Sequence, residues 1–134
     1  MCVASSGIAS LLLSGGRTSH FRLKIPIKVN ETSSCYIPKT GELAELLRKT
    51  DLIIWDEVPM QNKRCFEAVD RTLKDIRSNN ALFGGLPVLL GGDFAQIPPV
   101  VRHGNRSAIV EASIKQSYIW SQIQVLYLKQ NMRV

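Results

Sequence analysis

Residues 52–57 of the 134-residue chain are LIIWDE, a continuous apolar run that ends in two acids. Residues 86–93 repeat this arrangement as LPVLLGGD. Short apolar runs of this kind are typical of strands buried on both faces of a parallel sheet. Between the two runs, Asn62 to Ser78 has helical periodicity, with apolar residues at 66, 69, 73 and 76. We therefore predict an α/β fold in which helices flank a parallel sheet.

Shorter patterns on both sides complete the predicted order of elements. Residues 2–4 are a candidate strand end, and Ile8 to Leu13 a short helix stopped by glycines 15 and 16. Residues 21–40 are predicted to be irregular. A further helix is predicted from a cap at Thr40 to Lys49, with leucines 43, 46 and 47 facing inward. The last predictions are a helix over 106–115, with residues 109, 110 and 114 inward, and a strand over 125–128.

Several polar residues are interpreted without assigning them any chemistry. On the long helix, Glu67 with Arg71 and Asp70 with Lys74 have the spacing of ion pairs on a solvated face. The three cysteines form no C-x-x-C pair, which does not favour a zinc site. We expect Cys65 to be a small apolar filler of the core.

The composition favours one broad class of partner. The net charge of +6 indicates a polyanion such as nucleic acid, although a basic surface that only keeps the protein soluble is the alternative. No run reaches the ~20 apolar residues that a membrane-spanning helix needs, so no membrane partner is expected. The acid-poor, serine-rich start is also a feature of mitochondrial transit peptides.

The two acids after the first apolar run are candidates for nucleotide chemistry. Ligands of open α/β sheets bind beyond the carboxyl ends of the strands, where Asp56 and Glu57 would lie. Two adjacent carboxylates there are costly unless a cation compensates them. In nucleotide hydrolysis, Asp56 would help to hold Mg²⁺, and Glu57 would orient the attacking water and accept its proton. The alternative is a helix start, where the helix dipole favours acids.

The second run continues into GGDFAQIPPV at residues 91–100. The glycines allow close approach of the backbone. Gln96 offers both a donor and an acceptor at a strand end, so it can sense whether a terminal phosphate and its water are present. The two prolines stiffen the exit and would pass movement of Gln96 onward. A polar turn punctuated by prolines is the alternative.

Taken in order, these strings resemble the Pif1-like DNA helicases of helicase superfamily 1. Residues 4–9 with 15–20 look like the family's motif Ia, and residues 56–60 are similar to its Walker B motif. Residues 92–100 match its motif III, and residues 128–133 look like its motif IV. The resemblance covers nearly the whole chain. It implies a RecA-like (P-loop NTPase) parallel sheet flanked by helices.

The resemblance also implies roles at the nucleotide. Asp56 would bind Mg²⁺, Glu57 would be the catalytic base and Gln96 the sensor of the γ-phosphate, so that these three residues surround Mg²⁺ and ATP. Arg133 would neutralise charge on the phosphate in the transition state, since its guanidinium pairs bidentately with phosphate oxygens. From the sequence alone, a solvated residue near the end of the chain is the alternative for Arg133.

The motif Ia match implies contacts with the DNA backbone. Five residues are candidates for these contacts: Ser5, Ser6, Gly7, Thr18 and His20. For His20, a packed or capping histidine is an equal alternative. Phe21 could stack on a base, but we expect it in the core.

One motif of the family has no counterpart in the chain, because no G-x-x-x-x-G-K-[ST] string occurs. We therefore interpret residues 1–134 as a partial Pif1-like helicase domain from motif Ia to motif IV. The Walker A loop is expected upstream of Met1 and the second motor lobe after Val134, which leaves the sheet incomplete at its N-terminus.

The expected function is part of an ATP-dependent DNA helicase. Mg²⁺-ATP hydrolysis would drive translocation on single-stranded DNA and unwinding at duplex junctions. The resemblance implies roles in DNA repair, recombination and telomere maintenance, in the nucleus or alternatively the mitochondrion. A degenerate, non-catalytic module that binds single-stranded DNA is the main alternative. Another P-loop ATPase is a third. The sequence predicts no oligomeric state.

Overall fold

The sheet organises the molecule. A computed structural model describes residues 1–95 and 104–133. In this part of the chain, four parallel strands form one sheet in the order β2-β1-β3-β4. They span Cys2–Ala4 (β1), Arg17–Thr18 (β2), Ile53–Asp56 (β3) and Val88–Leu90 (β4). The prediction of an α/β fold with a parallel sheet is confirmed.

Helices occupy most of the connections between the strands. The α-helices span Gly7–Ser10 (α1), Ser19–Leu23 (α2), Glu42–Lys49 (α3), Lys63–Ile76 (α4) and Arg106–Glu111 (α5). Short 3₁₀ helices cover Val58–Met60, Leu82–Gly85, Ile114–Gln116 and Trp120–Gln122. Among the helices in the described residues, none combines the length and the apolar character needed to cross a membrane.

The core lies where α4 packs on the sheet. Asn62 caps α4, because its side chain accepts a hydrogen bond from the Arg64 N–H. The predicted apolar stripe of α4 is confirmed, with all four of its residues at most 3% exposed. The ring of Phe66 lies 4.5 Å from the ring of Trp55, centroid to centroid. Aromatic pairs at this separation contribute beyond the area they bury. Cys65 is 3% exposed, as expected of an apolar filler.

Of the ion pairs predicted on α4, Asp70 with Lys74 forms at 2.9 Å, whereas Glu67 pairs with Arg64 at 2.8 Å. The prediction that these acids lie on a solvated face is wrong. Glu67 is 3% exposed and Asp70 is fully buried. Glu67 accepts a hydrogen bond from the Ser117 hydroxyl at 2.7 Å, and Asp70 accepts one from the Tyr118 hydroxyl at 2.6 Å. Residues 117 and 118 come from a distant part of the chain, so the local spacing of charges did not reveal that this face is covered.

Three weaker predictions also fail. The cap of α3 is Gly41 rather than Thr40, and Leu46 is 48% exposed. The predicted helix over 106–115 ends at Glu111, with Val110 exposed and only Ile114 fully buried. Residues 125–128 form no strand and are exposed. Short patterns of this kind leave the ends of elements undetermined, and they do not show whether an apolar run pairs with a sheet.

Candidate functional site

Asp56 and Glu57 lie at the carboxyl end of a central strand. Asp56 is the last residue of β3, and one oxygen of its carboxylate accepts a hydrogen bond from the Glu57 N–H at 2.9 Å. Glu57 adopts φ 55° and ψ 41°, in the left-handed region. That conformation is uncommon for a residue with a side chain, and such strain clusters at functional sites. Both acids are half-buried.

The chain that follows β4 lies directly beside these acids. The Gly91 N–H donates to the Trp55 carbonyl at 2.8 Å, and the Val58 N–H donates to the Gly91 carbonyl at 3.0 Å. A Cβ at Gly91 would lie 3.2 Å from the Asp56 carboxylate. A glycine at this position therefore allows the two strand ends to approach. The expected juxtaposition of the acids with the segment after β4 is found at Gly91.

The segment beyond Gly92 makes its contacts with the later part of the chain. The Asp93 carboxylate accepts from the Ala95 N–H at 2.9 Å, which forms a local turn. The ring of Phe94 packs edge-on against the ring of Trp120, with centroids 5.7 Å apart. The ammonium of Lys115 lies 4.5 Å from the Phe94 centroid. The predicted sensor, Gln96, and the prolines after it lie outside the described residues.

Within the described residues, no contact brings Arg133 to Asp56 or Glu57. Its side chain is exposed, and its backbone N–H donates to the Asn131 side chain at 2.9 Å.

The two carboxylates at the end of β3 suit Mg²⁺ better than a metal ion that takes all of its ligands from the protein. Among the residues that the structure describes, no group of three His, Cys, Asp or Glu side chains could hold a metal ion. Mg²⁺ needs only one or two carboxylates, because water and substrate phosphates supply its other ligands. Asp56 and Glu57 meet that requirement.

The serines predicted to face DNA lie next to the same strand end. The Ser5 N–H donates to the Asp56 carbonyl at 3.1 Å. Ser6 caps α1, because its hydroxyl accepts from the Ala9 N–H at 3.2 Å. Gly7 is exposed, and a Cβ built on it would meet no atom within 4 Å. The exposed backbone at Gly7 is thus connected, through Ser5, to the end of β3.

The second predicted DNA-facing stretch has structural contacts of its own. The Thr18 hydroxyl caps α2 by accepting from the Phe21 N–H at 3.2 Å. His20 is half-buried, with Nδ1 3.5 Å from the Gln61 amide nitrogen and Nε2 4.0 Å from the Cys65 sulfur. Desolvation by burial lowers the pKa of His20. The packed alternative therefore describes His20 well.

Phe21 is 58% exposed, so the expectation that it lies in the core is wrong. The two buried residues of α2 are Ser19 and Leu23, four positions apart on one face. A residue midway between them must point away from that face. The ammonium of Lys24 lies 4.6 Å from the Phe21 ring centroid, and Lys24 is also exposed.

Gln61 is a residue of the site that sequence reasoning missed. Its side-chain oxygen accepts hydrogen bonds from Ser5, Ser19 and the indole N–H of Trp55, at 2.8, 2.9 and 3.2 Å. It is 5% exposed. In the sequence, Gln61 is marked only by its position between the two acids and the cap of α4. No motif includes it.

Comparisons with known proteins agree on one family. The family model described as PIF1-like helicase matches residues 1–134. The ATP-dependent DNA helicase Pif1 of a Psychrobacter species is 31% identical over 132 residues, which is 97% of this chain and 20% of that protein. The ATP-dependent DNA helicase RRM3 of Saccharomyces cerevisiae is 32% identical over 79% of this chain and 15% of its own length.

Solved structures give the same result. The Pif1 helicase from Bacteroides in complex with ADP-AlF3 and ssDNA aligns with a TM-score of 0.76 at 26% identity, covering 90% of this chain and 29% of that one. The Pif1 helicase from Candida albicans aligns with a TM-score of 0.71 at 26% identity, over 92% and 27% of the two chains. The predicted RecA-like class is confirmed. This chain spans less than a third of each of these relatives.

Proposed function

The chain belongs to the PIF1-like helicase family, and from this premise we propose that it contributes to an ATP-dependent DNA helicase that moves along single-stranded DNA. The single observation that carries the proposal is the meeting of three segments at one edge of the sheet. Asp56 ends β3 and Glu57 follows it, Gly91 hydrogen-bonds to the backbone on both sides of these acids, and Ser5 hydrogen-bonds to the Asp56 carbonyl. A nucleotide site and a DNA-facing segment thus share one strand end.

At the nucleotide, each acid has its own role in the proposal. Asp56 would hold Mg²⁺ together with water and phosphate oxygens, and the bound ion would supply positive charge to the phosphates of ATP. Glu57 orients the attacking water and takes its proton. The left-handed backbone of Glu57 supports this assignment, because strain of this kind persists where function requires it. Gln96 as the γ-phosphate sensor and Arg133 as the transition-state cation complete the proposed set.

At the nucleic acid, Ser5, Ser6 and Gly7 contact the phosphate backbone. Gly7 supports this role, since its exposed backbone lets a phosphate approach closely. Thr18 and His20 belong to the same proposed surface. Their capping and packing contacts suggest that they shape it more than they touch the strand.

Phe21 and Lys24 add a stacking platform to this surface. Single-strand binders combine aromatic side chains, on which bases stack, with cations that neutralise phosphates. An exposed phenyl ring with an ammonium 4.6 Å from its centroid offers both. The net charge of +6 supports a polyanionic partner.

The biological setting follows from the family. The curated relatives are named as ATP-dependent DNA helicases, and we propose roles in DNA repair, recombination and telomere maintenance. The proposed compartment is the nucleus, with the mitochondrion as the alternative. The family match over residues 1–134 supports the motor over a degenerate module that only binds DNA.

Binding of the chain to a thymidine oligonucleotide tests the proposal. Affinity should fall steeply as salt is raised from 50 to 200 mM, because phosphate contacts release counterions (roughly fiftyfold if four phosphates of a single strand are contacted). Phe21→Ala should weaken binding about tenfold, the lower part of the range for one lost stack. Tyr36→Ala is the matched control, since Tyr36 is 75% exposed and has no proposed role. Salt-independent binding, or no binding at low salt, would remove the DNA-binding role.

ATP hydrolysis by these 134 residues alone is not expected, because the chain contains no Gly-Lys-Thr loop to hold the phosphates. The measurement is phosphate release with and without single-stranded DNA. Turnover that disappears in Glu57→Gln would overturn this expectation and would still place the base at Glu57.

A further inference from the structure

Gln61 is buried between the segments that form the proposed site. It follows the 3₁₀ helix Val58–Met60 and is 5% exposed. Its side-chain oxygen accepts three hydrogen bonds, from the hydroxyls of Ser5 and Ser19 and from the indole N–H of Trp55. An amide oxygen has two lone pairs, so three donors exceed its ordinary capacity. The position is therefore built around an acceptor, and an apolar side chain would leave several donors without one.

The three donors come from separate parts of the fold. Ser5 follows β1, Ser19 begins α2, and Trp55 precedes Asp56 on β3. The amide nitrogen of Gln61 also lies 3.5 Å from Nδ1 of His20. One side chain thus contacts both of the stretches proposed to face DNA and the strand that carries the proposed magnesium ligand.

Backbone hydrogen bonds close the short 3₁₀ turn that separates Glu57 from Gln61. The Met60 N–H donates to the Glu57 carbonyl at 3.2 Å, and the Gln61 N–H donates to the Val58 carbonyl at 3.1 Å. Glu57 itself is in the left-handed region, a strained conformation that persists only where the surrounding structure holds it. A displacement of Ser5 or Ser19 therefore has a short, hydrogen-bonded route to the proposed catalytic base.

We infer that Gln61 is a positioning residue that sets the DNA-facing segment at Ser5 relative to Glu57, so that DNA binding at Ser5 changes the position of the base. The inference rests on the proposed function, because it gives a role to the same site. The inference goes beyond the proposed function by naming Gln61 as the side chain that links the two surfaces. It also specifies the acceptor oxygen of Gln61 as the group that makes this link.

Two variants separate this role from simple packing. Gln61→Glu keeps an acceptor oxygen at the same distance from the backbone and loses the amide donor. Gln61→Met has a similar length and no strong acceptor. Gln122→Met is the control, because Gln122 is exposed. If only packing matters, both variants at 61 should behave alike. If the acceptor matters, only Gln61→Met should be defective.

The experiment measures the 134-residue chain with a thymidine oligonucleotide by fluorescence anisotropy and by amide NMR. Gln61→Met should bind about fivefold more weakly, as expected for loss of about one hydrogen bond's worth of positioning. Gln122→Met should bind within about twofold of the parent chain, whereas Gln61→Glu adds a negative charge near the proposed phosphate contacts and is judged by the Glu57 shift alone. In the parent chain and in Gln61→Glu, DNA should shift the Glu57 amide signal and the indole N–H signal of Trp55. In Gln61→Met the Glu57 shift should be lost.

Thermal unfolding checks that Gln61→Met remains folded, and Ser19→Ala replaces it if it does not. Ser19→Ala removes one of the three donors and should reduce the Glu57 shift on DNA addition. Unchanged affinity and an unchanged Glu57 shift in Gln61→Met, or in Ser19→Ala where it is used, would overturn the inference while leaving the proposed function intact. Failure of the parent chain to bind the oligonucleotide would overturn both.

Discussion

β3 and β4 lie side by side, yet their ends have different surroundings. β3 pairs on both sides, with β1 and β4, and its residues Ile53 and Trp55 are fully buried. β4 is an edge strand in the described part of the sheet, and its central residue, Leu89, is 55% exposed. After β3 the chain is fixed by Gln61 and by the backbone of Gly91, whereas Gly92 to Ala95 are exposed after β4.

This difference indicates that the two strand ends have different roles in the proposed site. A rigid element positions catalytic groups more precisely than a loop does. We expect the acids after β3 to keep their place when the nucleotide binds and to shift only in response to DNA, through Gln61, whereas the exposed segment after β4 adjusts to the nucleotide. The predictions below vary this contrast, from the largest expected effect to the smallest.

The largest effect is expected from truncating the central strand. Trp55→Ala removes a fully buried ring that packs on Phe66, and should lower the free energy of unfolding by ~3–5 kcal/mol. Leu89→Ala on the edge strand should cost less than ~1 kcal/mol, because Leu89 is already more than half exposed. Urea unfolding followed by circular dichroism measures both. Equal losses would mean that β3 and β4 do not differ in the way described.

The next effect concerns Asp70 of α4, which hydrogen-bonds to the segment that precedes β4. Asp70 accepts hydrogen bonds from the Phe83 N–H at 2.7 Å and from the Tyr118 hydroxyl at 2.6 Å. Asp70→Ala leaves the buried Phe83 N–H unpaired and also removes the ion pair with the Lys74 ammonium at 2.9 Å, so it should lower the free energy of unfolding by about 3 kcal/mol. Asp75→Ala is the control, since Asp75 is exposed and pairs only at the surface, with Lys39. A loss below 1 kcal/mol for Asp70→Ala would contradict the buried network.

A smaller effect, of opposite sign, is expected at the strained acid. Glu57→Gly should raise the free energy of unfolding by about 1 kcal/mol, because glycine adopts the left-handed conformation without strain. Glu45→Gly, in the helical backbone of α3, should lower it by about 1 kcal/mol. Chemical denaturation of the pair gives both signs. Destabilisation by Glu57→Gly as large as that by Glu45→Gly would argue against strain at Glu57.

The smallest effect is a pH dependence at His20, beside β3. Burial lowers the pKa of His20 below its ordinary value of 6.5, so the folded chain binds this proton less tightly than the unfolded chain. The free energy of unfolding should therefore fall as the pH drops below about 6.5, until the folded pKa is passed. His20→Gln should reduce that fall. Superimposable pH profiles of the two proteins would contradict the burial of His20.

The sequence predicted the sheet and the placement of the acids because those depend on local patterns. The apolar run before Asp56 predicts a buried strand, and the apolar period of α4 predicts a helix. The glycines after β4 predict a close approach of the backbone. The runs at β3 and β4 nevertheless look alike, and neither shows which strand has two neighbours. Strand order is set by long-range packing, which a short window of sequence does not contain.

The failures at particular side chains have the same origin. Asp70 has the spacing of a surface ion pair, and it is buried by Tyr118, 48 residues away. Phe21 looked like a core residue because it is aromatic, but its position between two buried residues of a short helix turns it outward. Gln61 matched no motif, because its role depends on three donors that only the fold brings together.

The central claim is that the ends of β3 and β4 form one metal and nucleotide site, and paramagnetic NMR with Mn²⁺ in place of Mg²⁺ tests it most directly. Both ions prefer oxygen ligands. Mn²⁺ should broaden the amide signals of residues 56–58 and 91–93 before others, and Asp56→Asn should abolish this. Broadening that is confined to other acids, such as Glu42 and Glu45 of α3, or that persists in Asp56→Asn, would contradict the account.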